Sequence, residues 1–205
     1  MMKEVSVIFL VLALLSPSYG ADETVSFPAA MMTVPELTNY QRTSTFAEVV
    51  AVVDALRQSS DLIHRETLLL TEDGKDVPLL VLARPPIATP AQARASGKPV
   101  IYIQGNIHGG EVEGKEAALA MLRDACRGKY PLWLPNLVIV CVPVYNVDGN
   151  EALGPGLRQR GHQDGPDPVG RRTNDDRLDL NRDCLKADSP EMRGVLARVW
   201  KVWDP

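Results

Sequence analysis

The order of hydrophobic strands and helices in the second half of the chain is the feature that most constrains the fold. Val100–Gln104 is a short, almost continuous apolar segment, which is typical of a strand buried on both faces. It is followed by a predicted helix from about Glu111 to Cys126, a second buried strand over Leu137–Val142, and a helix over Ser189–Trp203. This alternation predicts an α/β fold with parallel central strands and helices on both faces.

The preceding segment adds a helix and a hairpin. Apolar residues recur at helical spacing over Thr45–Arg57, whose first residue is a plausible N-cap with Glu48 at capping-box distance. Glu66–Thr71 and Val77–Ala83 have strand-like composition and flank a turn sequence, so they predict a hairpin. The hairpin makes the predicted sheet mixed and largely parallel, while Pro85–Gly97 is expected to be a loop.

Composition excludes several classes of partner. The chain has 205 residues, of which 45% are hydrophobic and 23% charged, as expected for one globular domain. The net charge of −4 and the lack of a long Lys or Arg run give no footprint for nucleic acid or an anionic membrane surface. The chain has three cysteines, Cys126, Cys141 and Cys184, so at most one internal disulfide can form. They lack the CxxC spacing that would indicate a zinc site made of cysteines.

The start of the chain has the features of an export signal. A lysine precedes the apolar run Val5–Leu15, which is too short to span a bilayer, and the small residues Ser18 and Gly20 suit a cleavage site. We therefore predict a signal peptide over 1–20, a secreted or periplasmic location, and no stable membrane insertion after cleavage. A membrane anchor or a mistranslated extension is the alternative. Residues 21–38 are polar and rich in proline and are expected to form an extended lead-in.

His108 and Glu111 lie three residues apart where the first buried strand gives way to a helix. In open α/β sheets, ligands bind beyond the carboxyl ends of the strands. An imidazole and a carboxylate at this spacing can converge on one metal ion, and zinc favours this combination of ligands. Gly109 and Gly110 would allow a tight turn between them. The alternative for the pair alone is a turn histidine and a glutamate that stabilises the helix start.

A second group of polar residues lies downstream. Asn181 and Arg182 place an amide beside a guanidinium, which suits the free carboxylate at a peptide C-terminus. Arg171 and Arg172 lie in a long segment rich in Gly, Pro and Asp, where a guanidinium could stabilise an oxyanion. The alternatives are a surface Arg–Asp pair and a solvated basic spot.

Taken together, these motifs resemble those of zinc carboxypeptidases of the carboxypeptidase A type. The resemblance covers nearly all of the chain after the predicted signal peptide. It includes His108-Gly-Gly-Glu111, Pro143-Val-Tyr-Asn-Val-Asp-Gly-Asn150 and Asp179-Leu-Asn-Arg-Asp183. The order and spacing of the motifs carry the assignment, since each motif alone is modest.

The resemblance implies a role for each candidate residue. His108 and Glu111 would be the first two ligands of one Zn²⁺. Arg172 would polarise the scissile carbonyl, although Arg171 is close enough to leave the register open. Asn181 and Arg182 would clamp the terminal carboxylate of a peptide or protein substrate. The implied reaction is hydrolysis of C-terminal residues by metal-activated water.

The chain also departs from the family pattern. Gly110 stands where some members carry an arginine that contacts extended substrates, and Cys184 stands where an aromatic residue is common. The family's third zinc ligand, its general-base glutamate and a tyrosine that closes over substrate have no counterpart in this sequence. Residues 39–205 are therefore expected to be the N-terminal portion of a C-terminally truncated catalytic domain that is inactive alone.

Two other functions fit the same motifs. Zinc-dependent acylases of the aspartoacylase/succinylglutamate desuccinylase type also place a histidine and a glutamate before a helix, with an Asp-Leu-Asn-Arg motif downstream. A non-catalytic module could instead bind peptide C-termini through Asn181 and Arg182. The N-terminal helix, the hairpin and the export signal favour the peptidase.

Overall fold

The computed structural model describes residues 27–161 and 163–205, so the predicted signal peptide over 1–20 lies outside the described residues. The described residues form four strands: Ile63–Leu70 (β1), Asp76–Leu82 (β2), Val100–Gln104 (β3) and Val138–Val142 (β4). They also form eight α-helices: Val34–Leu37 (α1), Phe46–Ser59 (α2), Pro90–Ser96 (α3), Glu113–Cys126 (α4), Trp133–Asn136 (α5), Val147–Glu151 (α6), Gly156–Gln159 (α7) and Pro190–Gly194 (α8). None of the described helices is long and apolar enough to cross a membrane.

The strands form one mixed sheet in the order β1-β2-β4-β3, which confirms the predicted α/β class with a mixed sheet. Two of its three pairings are antiparallel, so among the described strands the largely parallel pairing that was predicted is limited to β3 and β4. β1 and β2 form the predicted antiparallel hairpin, and β2 also pairs antiparallel with β4. β3 and β4 are parallel, with Gln104 opposite Val142. Because the last residues of β3 and β4 lie opposite each other, the residues that follow the two strands meet at one edge of the sheet, where ligands bind in α/β proteins.

The core surrounds the two central strands. All five residues of β4 are buried, as are six of the seven residues of β2. Because successive side chains of a strand point to opposite faces, burial of every residue means that both faces are covered. α2 and α4 pack against each other, α4 contacts β3, and α8 contacts β1.

The predicted helix starts have two different outcomes. Thr45 caps α2, and both hydrogen bonds of the capping box with Glu48 are present, as predicted. α4 begins at Glu113 rather than Glu111, with Val112 in the cap position. Glu111 therefore precedes the helix, and the prediction that it lies in the first helical turn is wrong. The two glycines before it lie so close to neighbouring backbone that a Cβ on either would clash, so this part of the turn has no room for side chains.

The prediction of a loop over Pro85–Gly97 is wrong in part, because its second half forms α3. Thr89 caps this helix in a capping box with Gln92, and Pro90 occupies its first turn. Gly97 ends the helix in the left-handed conformation, with φ of 66°. All three are ordinary helix boundary signals in the sequence.

The lead-in predicted as extended over residues 21–38 is helical in much of its described part. Ala29–Met31 forms a 3₁₀ turn, and α1 follows with Thr33 and Glu36 in a capping box. The polar segment that joins β4 to the Asp179 motif also has structure of its own. It contains α6, α7 and a short antiparallel bridge between Gly154 and Val169.

The last helical region starts at the predicted cap. Ser189 caps α8 through Met192 N, and Pro190 lies in the first turn. The helix then continues as a π-helical segment over Val195–Trp200. Asp183 fixes this start by accepting hydrogen bonds from Asp188 N at 2.8 Å, Ser189 N at 2.9 Å and Ser189 Oγ at 2.6 Å. The cysteines Cys126, Cys141 and Cys184 are unpaired.

Asp183 is expected to make stability depend on pH. Burial alone would raise its pKa, but the hydrogen bonds from Ser189 and Asp188 lower it below the ordinary 3.8. A lowered pKa contributes stability above about pH 4 that is lost as the pH falls through the folded-state pKa. Asp183→Asn should therefore reduce the unfolding free energy at pH 7 by about 1–3 kcal/mol, and by less at pH 3, which lies below the ordinary pKa of the carboxyl group. Urea unfolding at both pH values measures this, with Asp61→Asn, an exposed carboxylate, as the control. An equal loss at both pH values would contradict it.

Candidate metal centre

The structure brings His108 and Glu111 together at the carboxyl end of β3. His108 Nδ1 lies 2.9 Å from Glu111 Oε1. The histidine side chain is 5% exposed and the glutamate side chain 40% exposed. The pair therefore has a buried nitrogen at its base and a carboxylate that faces solvent, an arrangement open to a ligand on one side.

Asp179 orients the histidine from the other side. Its Oδ1 lies 3.0 Å from His108 Nε2. Because an ionised carboxylate only accepts hydrogen bonds, Asp179 is placed to accept from an Nε2–H of His108, so that Nδ1, on the side of Glu111, is the ring nitrogen available to a metal ion. Sequence reasoning gave Asp179 no role. Its position two residues before Asn181 was the only sequence feature that pointed to the site. Nothing in the sequence shows that its side chain contacts a histidine 71 positions away.

The environment of Asp179 keeps it ionised. Burial opposes ionisation, but hydrogen bonds from His108, Arg172 and the Asn181 backbone N–H outweigh that effect and lower the pKa of Asp179 to about 2. At neutral pH the carboxylate is therefore a permanent acceptor beside His108 Nε2, which orients the imidazole ring.

The two candidate arginines point in different directions. Arg172 donates from Nε to Asp179 Oδ2 at 2.9 Å, and its Nη1 lies 3.3 Å from His108 Nδ1. Arg171 turns away and binds the carbonyl of Asn174 at 2.8 Å together with the carboxylate of Asp175. Arg172 therefore lies beside the histidine, whereas the guanidinium of Arg171 is engaged within its own loop.

Asn181 and Arg182 lie in a 3₁₀ turn, Leu180–Arg182, directly after Asp179. Both residues are exposed. The Asn181 N–H donates to Asp179 Oδ1 at 3.0 Å, and Arg182 Nη1 donates to the Asn181 carbonyl at 2.8 Å. Asp179 thus ties the turn that carries these donors to His108, and both side chains remain accessible to a solute.

Three glycines allow the segment that carries Arg171 and Arg172 to lie against the turn from His108 to Glu111. A Cβ on Gly109 would lie 2.3 Å from the carbonyl of Gly149, and one on Gly170 would lie 2.2 Å from the same oxygen. The backbones cross here with hydrogen bonds from Gly109 N to Arg171 O at 2.9 Å and from Arg171 N to Gly149 O at 2.8 Å. The crossing therefore requires residues without side chains. Gly109, Gly149 and Gly170 together form this glycine crossing.

Asn146 adds a side-chain link between the same segments. It is fully buried, and its Nδ2 donates to Ile107 O at 3.2 Å and Arg172 O at 3.1 Å. Its Oδ1 accepts from Gly149 N at 2.8 Å. The residue was recognised as part of a motif, but its role in joining the His108 turn to Arg172 is visible only in three dimensions.

The donor set at this edge fits a zinc ion. His108 Nδ1 and Glu111 Oε1 lie 2.9 Å apart, and with Nδ1 unprotonated both atoms could direct a lone pair to one metal ion. Two ligand atoms of one tetrahedral zinc lie about 3.3 Å apart when each bond is about 2.0–2.2 Å, so little adjustment is needed. Within residues 27–161 and 163–205, no group of three or more His, Cys, Asp or Glu side chains is arranged to hold a metal.

Solved structures share this fold. A metallo-carboxypeptidase from Burkholderia cenocepacia matches with a TM-score of 0.57 at 22% identity, covering 79% of this chain and 39% of its own. A metallo-carboxypeptidase from Pseudomonas aeruginosa, in complex with (2-guanidinoethylmercapto)succinic acid, matches with a TM-score of 0.56 at 20% identity, covering 79% and 38%. Bovine thrombin-activatable fibrinolysis inhibitor, in complex with tick carboxypeptidase inhibitor, matches with a TM-score of 0.55 at 12% identity, covering 80% and 57%.

These matches establish the fold, and a family profile establishes the relationship. The chain spans roughly two fifths of the length of the two bacterial structures. No curated protein sequence matches the chain significantly. The zinc carboxypeptidase profile matches residues 49–188, a span that contains the candidate metal pair, both arginines and the Asn181–Arg182 turn. The chain therefore belongs to the zinc carboxypeptidase family.

Proposed function

We propose that this protein is a zinc-dependent metallocarboxypeptidase that removes C-terminal residues from peptides or proteins. One observation carries the proposal: His108 Nδ1, Glu111 Oε1 and Arg172 Nη1 meet at the carboxyl end of β3, with 2.9 Å between the first two atoms and 3.3 Å between the first and third. Family membership supports the same activity.

A zinc ion held by His108 and Glu111 would supply an activated water and a Lewis acid for the scissile carbonyl. Asp179 would keep the Nδ1 lone pair of His108 directed at the metal by holding the proton on Nε2. This role needs no movement, because the 3.0 Å contact already exists.

Arg172 is suited to stabilise the oxyanion that develops on the attacked carbonyl. Its Nε is held by Asp179 at 2.9 Å, which fixes the guanidinium, and its side chain is 46% exposed. A donor that is fixed before the reaction and still accessible stabilises developing charge without reorganisation.

Asn181 and Arg182 are suited to bind the terminal carboxylate of the substrate. An amide and a guanidinium in one exposed turn can donate several hydrogen bonds to a carboxylate, and these are stronger than neutral ones. Because Asp179 connects this turn to His108, the bound terminus would lie near the metal site. We also propose that residues 1–20 act as a signal peptide for export to the periplasm or the medium.

The test is hydrolysis of three substrates in the presence of Zn²⁺. We expect a catalytic domain that contains these residues together with the third zinc ligand and the general base of the family to release an amino acid from a peptide with a free C-terminus, and none from the same peptide with an amidated C-terminus. Hydrolysis of an N-acyl amino acid but not of the free peptide would replace the peptidase by an acylase. Binding of the free peptide without hydrolysis would indicate a binding module.

The two neighbouring arginines provide a matched pair of variants. Arg172→Ala should lower kcat/KM by about 100-fold or more, because it removes a preorganised donor at the reaction centre. Arg171→Ala should change kcat/KM much less, because that guanidinium binds Asn174 and Asp175 within its own loop. Steady-state kinetics on the free peptide measures both. The opposite ranking would assign the catalytic role to Arg171.

A further inference from the structure

We propose that Asn106 is a positioning residue that holds the turn from His108 to Glu111 in its convergent shape before a metal binds. The consequence for zinc affinity rests on the proposed function, whereas the effect on the turn does not. Asn106 is the second residue after β3 and is 4% exposed. It lies outside the set of residues that sequence reasoning identified.

The backbone of Asn106 is fixed at the sheet edge. Its φ is 58°, in the left-handed region, which asparagine tolerates better than most residues with a side chain. Its carbonyl accepts from Asn146 N at 3.1 Å, and the preceding Gly105 N donates to Val142 O at 2.9 Å. The residue therefore provides a fixed point from which the side chain can act.

The side-chain amide gathers three carbonyls of the turn. Asn106 Nδ2 lies 3.1 Å from His108 O, 3.4 Å from Gly109 O and 3.3 Å from Glu111 O. An acceptor in this position would be repelled by all three oxygens, so the amide orientation is determined by the contacts. Two of the three carbonyls belong to the two candidate metal ligands.

A comparison with glycine shows what the side-chain amide of Asn106 contributes at this position. Positive φ alone does not require asparagine, because glycine adopts it more readily. Asn106 also leaves its Oδ1 buried without a hydrogen-bond partner among the described residues. A buried unpaired acceptor is unfavourable, and such departures from local stability cluster at functional sites. The three contacts of Nδ2 offset the free-energy cost of the unpaired Oδ1.

These contacts control the spacing of the ligands. The turn has one internal backbone hydrogen bond, from Glu111 N to His108 O at 3.0 Å, and one external bond, from Gly109 N to Arg171 O at 2.9 Å. Without the amide, the carbonyls of His108 and Glu111 would lose their common donor. The Nδ1–Oε1 separation of 2.9 Å would then depend on a short loop that contains two glycines. Ligands held before binding give a tighter site.

The test compares two substitutions with a matched control. Asn106→Gly keeps the preference for positive φ and removes the amide. Asn106→Asp keeps the size of the side chain and replaces the donor by an acceptor, and it serves as the comparison if Asn106→Gly does not fold. Asn39→Gly is the control, because Asn39 has φ of 49° but is exposed and outside the site.

The first measurement is amide hydrogen exchange in the metal-free protein. We expect exchange at Gly109 and Glu111 to accelerate by about tenfold in Asn106→Gly, the effect of losing one net hydrogen bond, and not in the control. Wild-type protection at these two amides in Asn106→Gly would overturn the proposal, whether or not the protein binds zinc.

The second measurement is zinc affinity by calorimetry. We expect Kd to rise by about 10-fold or more in Asn106→Gly, as for other residues that orient ligands. Faster exchange with unchanged Kd would overturn the positioning role and leave a purely structural one. If the unaltered protein binds no zinc, the proposed function fails, while the exchange measurement still decides whether Asn106 holds the turn.

Discussion

His108→Ala is expected to lower the affinity of the protein for Zn²⁺ by at least about 100-fold. The substitution removes the buried nitrogen that lies 2.9 Å from the Glu111 carboxylate and leaves that carboxylate without its partner ligand. It also removes the hydrogen bond that His108 makes with Asp179. Calorimetric titration of the purified variant with Zn²⁺ measures the change directly.

His64→Ala is the matched control for this result. His64 lies in β1, where Nε2 is 3.7 Å from Glu66 Oε1. It therefore also removes a histidine paired with a glutamate, but away from the candidate centre. We expect its zinc affinity to equal that of the unaltered protein. Equal losses in the two variants, or none in His108→Ala, would show that zinc does not bind at the end of β3.

Gly109→Ala is expected to destabilise the protein by about 3 kcal/mol or more, at the upper end of the cost of overpacking. The new Cβ would lie 2.3 Å from the carbonyl carbon and oxygen of Gly149 and 2.6 Å from Asn150 N. These are backbone atoms, so no side-chain rotation relieves the contact. The variant should also lose the hydrogen bond from Gly109 N to Arg171 O. Urea unfolding, followed by far-UV circular dichroism, gives the free energy.

Gly114→Ala is the control for the glycine crossing, because the expected change has the opposite sign. Its Cβ would meet only Gly105 Cα at 3.6 Å and Asn106 N at 3.7 Å, which is ordinary contact. Gly114 is the second residue of α4, where alanine is still favoured over glycine, so the variant should be more stable, by at most about 0.5–1 kcal/mol. Similar free energies of unfolding for both variants would contradict the close approach at the glycine crossing.

The fold was predictable where local signals were strong. The hydrophobic segments of β3 and β4 and the capping box of α2 each depend on residues close in sequence, and the structure confirms these elements. The prediction that β3 is buried on both faces is wrong, because β3 is an edge strand and none of its residues is buried. α3 was missed although Thr89 and Gly97 mark its ends, because the alanine-rich segment has no apolar period to suggest a helix. The early start predicted for α4 reflects the ambiguity of helix boundaries in sequence.

The site was predictable only as a set of motifs. His108, Glu111 and Arg172 were identified from residue type and family pattern, and the structure brings them to one edge of the sheet. The contacts of Asp179 and Asn146 with this turn depend on segments that are distant in sequence. No local pattern reveals such contacts, because they arise from how the sheet and the long loop pack together.

The short bridge between Gly154 and Val169 has a consequence for protein engineering. Its two hydrogen bonds, of 2.8 and 3.0 Å, fasten the ends of the loop over 155–168. The glycine crossing offers no side chain for redesign, so the surface around the candidate metal centre is difficult to alter there by substitution. A loop whose ends are fixed can be exchanged as a unit, so grafting at this bridge should alter the surface near the candidate metal centre while the backbone that carries His108 is preserved.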